Sequence, residues 1–162
     1  MPESKIKKVK KYWLIKSEAD CYSIDDLKKD KKIAWEGVRN FQARNFMKEM
    51  QVGDLCLFHH SNGTKENPTG VYGIAKVVSK VHSDQTQYDK KGEYYEKRAT
   101  EENPVWFCVD MGFVKKFKIP VTLAQIKFDP KLKNMIVAQP GTRLSIMPVS
   151  EKDFEYINKL AD

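Results

Sequence analysis

The segment Trp35-Glu36-Gly37-Val38-Arg39-Asn40-Phe41-Gln42-Ala43-Arg44-Asn45 carries the strongest structural signal in this 162-residue chain. Asn40 is suited to begin a helix, because its side-chain oxygen can accept a hydrogen bond from a backbone N–H of the first turn. The apolar residues that follow have helical spacing, at Ala43, Phe46, Met47 and Met50. The segment therefore predicts a polar and aromatic loop that leads into an amphipathic helix.

Several other stretches have the pattern of β-strands. Residues 11–16, 55–58 and 71–81 are short and apolar, and residues 105–113 alternate between apolar and other positions. Capping patterns predict short helices after Ser23, Thr122 and Ser150. The strands, about five or six in number, do not alternate regularly with long helices, which argues against a doubly wound sheet. We expect an α+β fold, a mixed β-barrel with short peripheral helices.

Length and composition favour one intracellular domain over residues 1–162. No apolar run approaches the roughly 20 residues of a membrane span, and the lysine-rich start is unlike a signal peptide. Cys21, Cys56 and Cys108 are widely spaced and odd in number, so we expect reduced thiols, no metal site and no cofactor. A bacterial cytoplasm and a eukaryotic nucleus both fit. We expect a monomer rather than an obligate oligomer.

Two segments differ from the rest of the predicted domain. Residues 1–11 contribute +4 to the net charge of +7, and this basic arm is either a phosphate-attracting element or a solvated terminus. Residues 82–103 are polar and turn-rich, which predicts a long surface excursion. Its tyrosines Tyr88, Tyr94 and Tyr95 could contact a protein partner, cover a binding site or pack on the barrel.

Polar side chains are concentrated in four short segments near predicted strand ends and loops. These segments are Lys16-Ser17-Glu18, residues 35–45, His60-Ser61-Asn62 and Arg143-Leu144-Ser145. Polar groups held in loops by a rigid scaffold are typical of binding sites. A nucleotide base needs an apolar or aromatic face and polar groups for its edge, and its phosphates need arginine or lysine. The sequence therefore contains the residue types of a base-binding site.

The residues suggest the following roles in such a site. Trp35 could stack on the base. The polar edge of the base could bind the side chains of Ser17, Glu18, Asn40 and Ser61. The phosphates of the nucleic acid could bind the guanidinium groups of Arg39, Arg44 and Arg143.

Structural roles are open for the same residues. Trp35 could belong to the core or cover the site, and Glu18 could cap a helix. Arg39 and Arg44 could pair with Glu36 or Glu49 on a helix surface. His60 is as well explained by a buried, hydrogen-bonded ring as by a ligand contact.

These segments, taken in order, resemble the EVE domain family. The resemblance begins at Tyr12-Trp13-Leu14-Ile15-Lys16-Ser17-Glu18 and is most specific in residues 37–45. It continues through Gly53-Asp54, His60-Ser61-Asn62 and Asn103-Pro104-Val105-Trp106 to residues 143–149. It implies a PUA-like fold, kinship with YTH and ASCH domains, and binding of modified bases in DNA or RNA.

The resemblance also implies a set of site residues, and the chain departs from the family at two positions. The implied base-binding residues are Lys16, Ser17, Glu18, Trp35, Val38, Arg39, Asn40, His60, Ser61, Arg143 and Ser145. Ala19 stands where the family usually has proline, and His59 stands where it usually has tyrosine. We expect a looser turn at Ala19 and a more polar wall of the site at His59.

Three functions remain open. We expect a nucleic-acid-binding domain that holds a modified, unpaired base in a polar and aromatic pocket. The alternative is a small amidohydrolase of the ASCH type acting on acylated nucleosides, with Lys16, Ser17, Glu18 and His60 converging to supply a nucleophile and a base. Neither a nucleophile elbow nor a recognisable Ser-His-Asp order supports this alternative. A protein adaptor that uses the 82–103 excursion is the third possibility.

Overall fold

The computed structural model describes residues 10–162. The secondary structure consists of short strands and short helices. The eight strands of this part of the chain are β1 (Tyr12–Glu18), β2 (Lys32–Ala34), β3 (Leu55–Ser61), β4 (Gly70–Val77), β5 (His82–Ser83), β6 (Phe107–Cys108), β7 (Asp110–Thr122) and β8 (Ile146–Val149). Its four α-helices are α1 (Ile24–Asp30), α2 (Phe41–Glu49), α3 (Leu123–Phe128) and α4 (Glu151–Leu160). Most of the predicted basic arm, residues 1–9, lies outside the described residues.

Six strands form one curled, half-barrel sheet in the order β2-β7-β4-β3-β1-β8. The neighbours β1 and β3 run parallel, and the other pairs in the sheet are antiparallel. Strands β1 and β3 supply the centre of the core, with Leu14, Ile15, Leu57 and Phe58 each 0% exposed. The parallel register pairs Ser17 with His60 and Glu18 with Ser61, so the polar ends of both strands reach the same edge. This confirms the expected α+β fold and barrel-like sheet.

The predicted helix starts are confirmed. Ser23, Asn40, Thr122 and Ser150 each accept a hydrogen bond from the backbone N–H three residues ahead. At Ser23 the Asp26 carboxylate completes a reciprocal capping box. Short polar side chains favour these positions because the first N–H groups of a helix have no partner within it.

The predicted strand over residues 105–113 is wrong in its extent. The chain leaves strand geometry at Val109, so β6 pairs with β5 while β7 belongs to the main sheet. Strand β7 then continues to Thr122, because its backbone pairs with β4 over most of that length. Trp106 directly precedes β6 and is 4% exposed.

The 82–103 excursion is packed onto the domain through two buried polar side chains. Asp84 and Gln87 are both 0% exposed. The Gln87 amide donates to the backbone oxygens of Asp84 and Trp106, and its oxygen accepts from the N–H groups of Val105 and Trp106. The excursion is therefore held by specific buried hydrogen bonds, a feature that its polar, turn-rich composition did not reveal.

Cys56 and Cys108 are buried and Cys21 is exposed, all as free thiols. Among the described residues, no helix combines the length and the apolar character needed to cross a bilayer.

Candidate binding site

A cavity of about 530 Å³ lies at the end of β1. Five parts of the chain form its walls: residues 16–18, residues 21–22, residues 33–39, the tip of the excursion at Glu93 and Tyr94, and Ser145. We call it the Trp35 cavity. Seven of the residues implied by the family resemblance line it, namely Lys16, Ser17, Glu18, Trp35, Val38, Arg39 and Ser145.

Trp35 is both a core residue and a wall of this cavity. It is 9% exposed and meets Phe58 and Tyr22 edge to face, with ring centroids 5.5 Å and 6.3 Å apart. Its backbone N–H donates to the Val109 oxygen at 2.9 Å. The indole is thus fixed by packing, which gives the cavity a rigid aromatic side.

The end of β1 supplies the polar groups opposite Trp35. The Lys16 backbone N–H donates to the Ser145 oxygen at 2.9 Å, which brings Ser145 into the wall. Lys16 forms no ion pair with any residue of 10–162. Burial lowers the pKa of its ammonium. A cation without a protein partner in a cavity is a ready donor for a ligand oxygen or nitrogen.

Ser17 and Glu18 are already engaged by protein groups. The Ser17 hydroxyl donates to the Tyr22 backbone oxygen at 2.6 Å. Oε1 of Glu18 accepts from the Asn62 amide at 2.8 Å. Ser17 therefore braces the turn after β1. Glu18 keeps acceptor capacity, because a carboxylate can accept several hydrogen bonds.

Arg39 does not present a free guanidinium, so its predicted role as a phosphate ligand gains no support from the structure. Its Nη1 donates to the Val38 oxygen and to Asp84, and its Nη2 donates to Thr86 and to the Tyr94 oxygen. Its Nε donates to the same Tyr94 oxygen. A guanidinium has five N–H donors, and all five are used within the protein. Arg39 instead holds the excursion beside the cavity through its hydrogen bonds to Asp84, Thr86 and Tyr94.

Tyr94 and Gly37 meet where the excursion touches the cavity. Gly37 has a φ of +88°, and a Cβ placed on it would lie 2.9 Å from Cζ of Tyr94. The Arg39 guanidinium also lies 5.2 Å from the Tyr94 ring centroid. Tyr94 is 38% exposed and forms part of the cavity rim. Of the roles considered for the excursion tyrosines, this contact favours covering the site.

Glu93 and Asp84 were not identified by the sequence analysis. Glu93 lines the Trp35 cavity, and Asp84 accepts from the Gly37 N–H at 2.8 Å. Burial alone would raise the pKa of Asp84, but hydrogen bonds from Thr86, Gly37 and Arg39 outweigh it and lower the pKa. The only signal in the sequence was an acidic residue inside a turn-rich stretch, which is common on any surface.

Asn40 and Arg44 lie outside the Trp35 cavity, so their predicted ligand contacts are not supported. The Asn40 side-chain oxygen accepts from the Ala43 N–H at 2.9 Å as the cap of α2. Arg44 donates to the Val105 oxygen and lies 4.9 Å from the Phe41 ring centroid. Phe41 in turn stacks on Trp106, with centroids 4.8 Å apart. Asn40 therefore stabilises the start of α2, and Arg44 links α2 to the segment at Val105.

His60 and Ser61 line a different cavity, of about 660 Å³, which we call the Tyr72 cavity. Nε2 of His60 accepts from the Ile24 N–H at 3.0 Å, and its ring stacks on Tyr72 with centroids 4.1 Å apart. Arg143 is exposed and lines neither cavity. The predicted single site is thus divided into two. Lys16, Ser17, Glu18 and His60 do not converge as the hydrolase alternative requires.

His59, one of the two departures from the family pattern, is fully enclosed. It is 1% exposed, and neither ring nitrogen has a hydrogen-bond partner among residues 10–162. Burial lowers its pKa to about 3, and the neighbouring Lys16 and His60 contribute to that shift. The ring is therefore neutral at physiological pH and leaves one donor and one acceptor unpaired.

Among the described residues, one group of three possible metal ligands lies close together. It consists of Glu18, Asp20 and Cys21, all exposed. A hydrogen bond to Glu18 raises the pKa of the Cys21 thiol, and burial and nearby carboxylates add to the effect. The Cys21 thiol is therefore less readily deprotonated than a free cysteine.

Comparison with known proteins places the site in context. A family model described as EVE domain matches residues 11–160. Human thymocyte nuclear protein 1 is 35% identical over 176 residues, covering 97% of this chain and 76% of that protein. A solved structure of a Pseudomonas syringae protein has a TM-score of 0.88 and 40% identity, covering 93% of this chain and 99% of that one.

Two further solved structures are similar to this chain. Human THYN1 in complex with 5-methylcytosine-containing DNA superposes with a TM-score of 0.86 at 34% identity, covering 94% of this chain and 98% of that chain. An ASCH protein from Zymomonas mobilis has a TM-score of 0.53 at 10% identity, covering 94% of this chain and 98% of that one. The second likeness concerns the fold alone.

Proposed function

This chain belongs to the EVE domain family, and on that premise we propose that it binds DNA by holding one modified cytosine in the Trp35 cavity. The observation that carries the proposal is the meeting of Lys16, Trp35 and several carboxylates in one cavity. The kind of base follows from the human relative solved with 5-methylcytosine-containing DNA.

The dimensions and the walls of the cavity suit a nucleobase. A volume of about 530 Å³ is within the usual range for small-ligand sites. Trp35 and Tyr94 supply aromatic surface, and Val38, Ile33 and Ala34 supply apolar surface. Aromatic contacts with a base contribute roughly 1–3 kcal/mol, and the apolar residues can contact a 5-methyl group.

The polar groups match the edge of cytosine. Cytosine offers an exocyclic amine as donor, and carboxylates are its usual acceptors. Glu18 and Glu93 line the cavity and can take that role. Lys16 can donate to the ring nitrogen or carbonyl oxygen on the same edge, because its ammonium has donors and no acceptor.

The base must leave the double helix to be bound in this way. The cavity walls come from five separate segments, so a base within a stack cannot enter between them. Extruding a base costs a few kcal/mol, and least where the base is mismatched or already single-stranded. We therefore expect tighter binding to single-stranded or mismatched sites than to intact duplex.

The test is a fluorescence-anisotropy titration with short oligonucleotides that differ only in one base: 5-methylcytosine, cytosine, thymine or adenine. We expect the 5-methylcytosine strand to bind most tightly. Lys16→Met keeps the apolar stem and removes the ammonium, and it should weaken binding by about tenfold, the effect of losing one charge-assisted hydrogen bond. Lys76→Met is the matched control, because Lys76 is an exposed strand lysine outside the cavity.

Two results would contradict the proposal. Equal affinity for all four oligonucleotides would show that the protein does not distinguish the bases. Unchanged binding by Lys16→Met, with folding verified by circular dichroism, would show that the base does not bind in the Trp35 cavity.

A further inference from the structure

We propose that the Tyr72 cavity is a second subsite, which binds the nucleotide adjacent to the base held in the Trp35 cavity. The proposal rests on the proposed function and extends it from one base to two consecutive nucleotides. Three features support it: the wall shared by the cavities, the unpartnered donor of His60 and the lysines that line the Tyr72 cavity.

The turn at residues 18–23 separates the two cavities. Glu18, Cys21 and Tyr22 face the Trp35 cavity, whereas Ala19, Asp20 and Ser23 face the Tyr72 cavity. The turn is closed by hydrogen bonds from the N–H groups of Cys21 and Tyr22 to the Glu18 oxygen, at 3.0 Å and 2.8 Å. One short turn thus forms a wall of both cavities, so the two cavities are neighbours.

A direct contact also joins the two rims. The Asn62 amide on the Tyr72 side donates to Glu18 on the Trp35 side at 2.8 Å. Asn62 has a φ of +53°, a left-handed conformation in which asparagine is enriched among residues other than glycine. The loop that carries it is therefore built to place this amide at the boundary between the cavities.

His60 offers an unused donor inside the Tyr72 cavity. The residue is 7% exposed, and its Nε2 accepts from the Ile24 N–H. Since that nitrogen is an acceptor, the neutral ring carries its proton on Nδ1. Nδ1 has no hydrogen-bond partner among residues 10–162. It is also not among the side-chain atoms that are completely shielded from solvent. Because His60 lines the cavity, this unpartnered donor suits an acceptor on a base or sugar.

The surroundings of His60 suit the other parts of a nucleotide. Tyr72, stacked on His60, also lines the cavity and adds aromatic surface for a base. Lys116 and Lys118 line the same cavity. Lys116 is paired with Asp25 at 2.8 Å, whereas Lys118 forms no ion pair with any described residue. Lys118 is thus the cation available to a phosphate.

The experiment compares two probes, 5-methyl-2′-deoxycytidine 5′-monophosphate and a single-stranded trinucleotide with the same base at its centre. Wild type should bind the trinucleotide several-fold more tightly. Lys118→Ala should remove most of that gain and reduce the salt dependence of trinucleotide binding by about 0.7 in the logarithmic slope, the value for one phosphate contact on a single strand. Binding of the mononucleotide should not change.

Two controls support the interpretation. Lys127→Ala removes an exposed lysine that lines neither cavity, and it should bind both probes as wild type does. Tyr72→Leu keeps apolar volume and removes the aromatic face, so it should also lower trinucleotide affinity alone.

The outcomes separate the two proposals. Equal wild-type affinity for both probes, or unchanged trinucleotide binding by Lys118→Ala, would overturn the second subsite while the Trp35 cavity stands. Failure of wild type to bind either probe would overturn the proposed function itself.

Discussion

The Arg39 guanidinium and the Asp84 carboxylate form an ion pair across 45 positions of the chain, with 3.0 Å between Nη1 and Oδ2. The Asp84 side chain is 0% exposed and that of Arg39 is 21% exposed. Through this pair, an arginine that resembles a phosphate ligand in the sequence becomes the anchor of the 82–103 excursion. The excursion in turn brings Glu93 and Tyr94 to the Trp35 cavity.

Asp84→Asn is expected to destabilise the fold by about 3 kcal/mol, because it leaves the Arg39 charge without its buried partner. The lowered pKa of Asp84 adds a pH dependence: its stabilisation is complete above the unfolded-state pKa near 4 and is lost as the pH falls through the folded-state pKa. Urea unfolding at pH 7 measures the first effect, and hydrogen exchange of residues 84–106 at decreasing pH measures the second. Glu101→Gln, an exposed change in the same excursion, should leave both unchanged.

Tyr94→Ala should weaken binding of the 5-methylcytosine oligonucleotide by about tenfold, within the range for loss of one aromatic contact with a base. Tyr95→Ala provides a matched control, because Tyr95 is its neighbour, has a similar exposure of 40% and does not line the cavity. Equal effects of the two substitutions would show that Tyr94 has no special role. The measurement is the same anisotropy titration.

Gly37→Ala should cost more stability and more affinity than Gly53→Ala. Both glycines have a positive φ, +88° and +99°, so both substitutions introduce similar backbone strain of about 1 kcal/mol. Only the Cβ at Gly37 meets the Tyr94 ring, whereas nothing lies within 4 Å of a Cβ at Gly53. The difference between the two variants therefore isolates the displacement of Tyr94. If both lose the same stability and bind equally, Tyr94 does not depend on Gly37.

His59→Phe should raise the free energy of unfolding at pH 7 by about 1–3 kcal/mol, because it removes two buried polar atoms that have no partner. His60→Phe should have the opposite sign, since it deprives the Ile24 N–H of its acceptor. The two adjacent substitutions are chemically identical, so they control for each other.

The pH dependence of the His59→Phe variant gives a further check. The folded-state pKa of His59 is about 3. Below pH 6.5 the imidazole is therefore protonated in the unfolded chain and stays neutral in the folded protein until the pH approaches 3. Wild type should therefore lose about 2 kcal/mol relative to His59→Phe between pH 7 and pH 5. Urea midpoints that fall in parallel for both proteins would contradict this.

Much of the local structure could be predicted from short segments. The caps at Ser23, Asn40, Thr122 and Ser150 were recognised because capping depends on residues three positions apart. The end of β7 was missed, because the pairing of residues 114–122 with β4 depends on a strand some 45 positions away.

Phe128 is 89% exposed, and nothing in the structure explains an aromatic residue there.

The sequence by itself determined the family, the α+β fold class and the presence of Lys16, Ser17, Glu18 and Trp35 at a candidate site. These features depend on residue types at short, fixed spacing, which a single chain displays directly. Only the tertiary structure decided that His60 and Ser61 face a second cavity. It also decided that the Arg39 guanidinium is hydrogen-bonded to Asp84 and Tyr94, and that Asn40 caps a helix. A polar side chain looks the same in sequence whether its hydrogen bonds go to a ligand or to the protein. Its donors and acceptors can be counted only when distant segments are brought together.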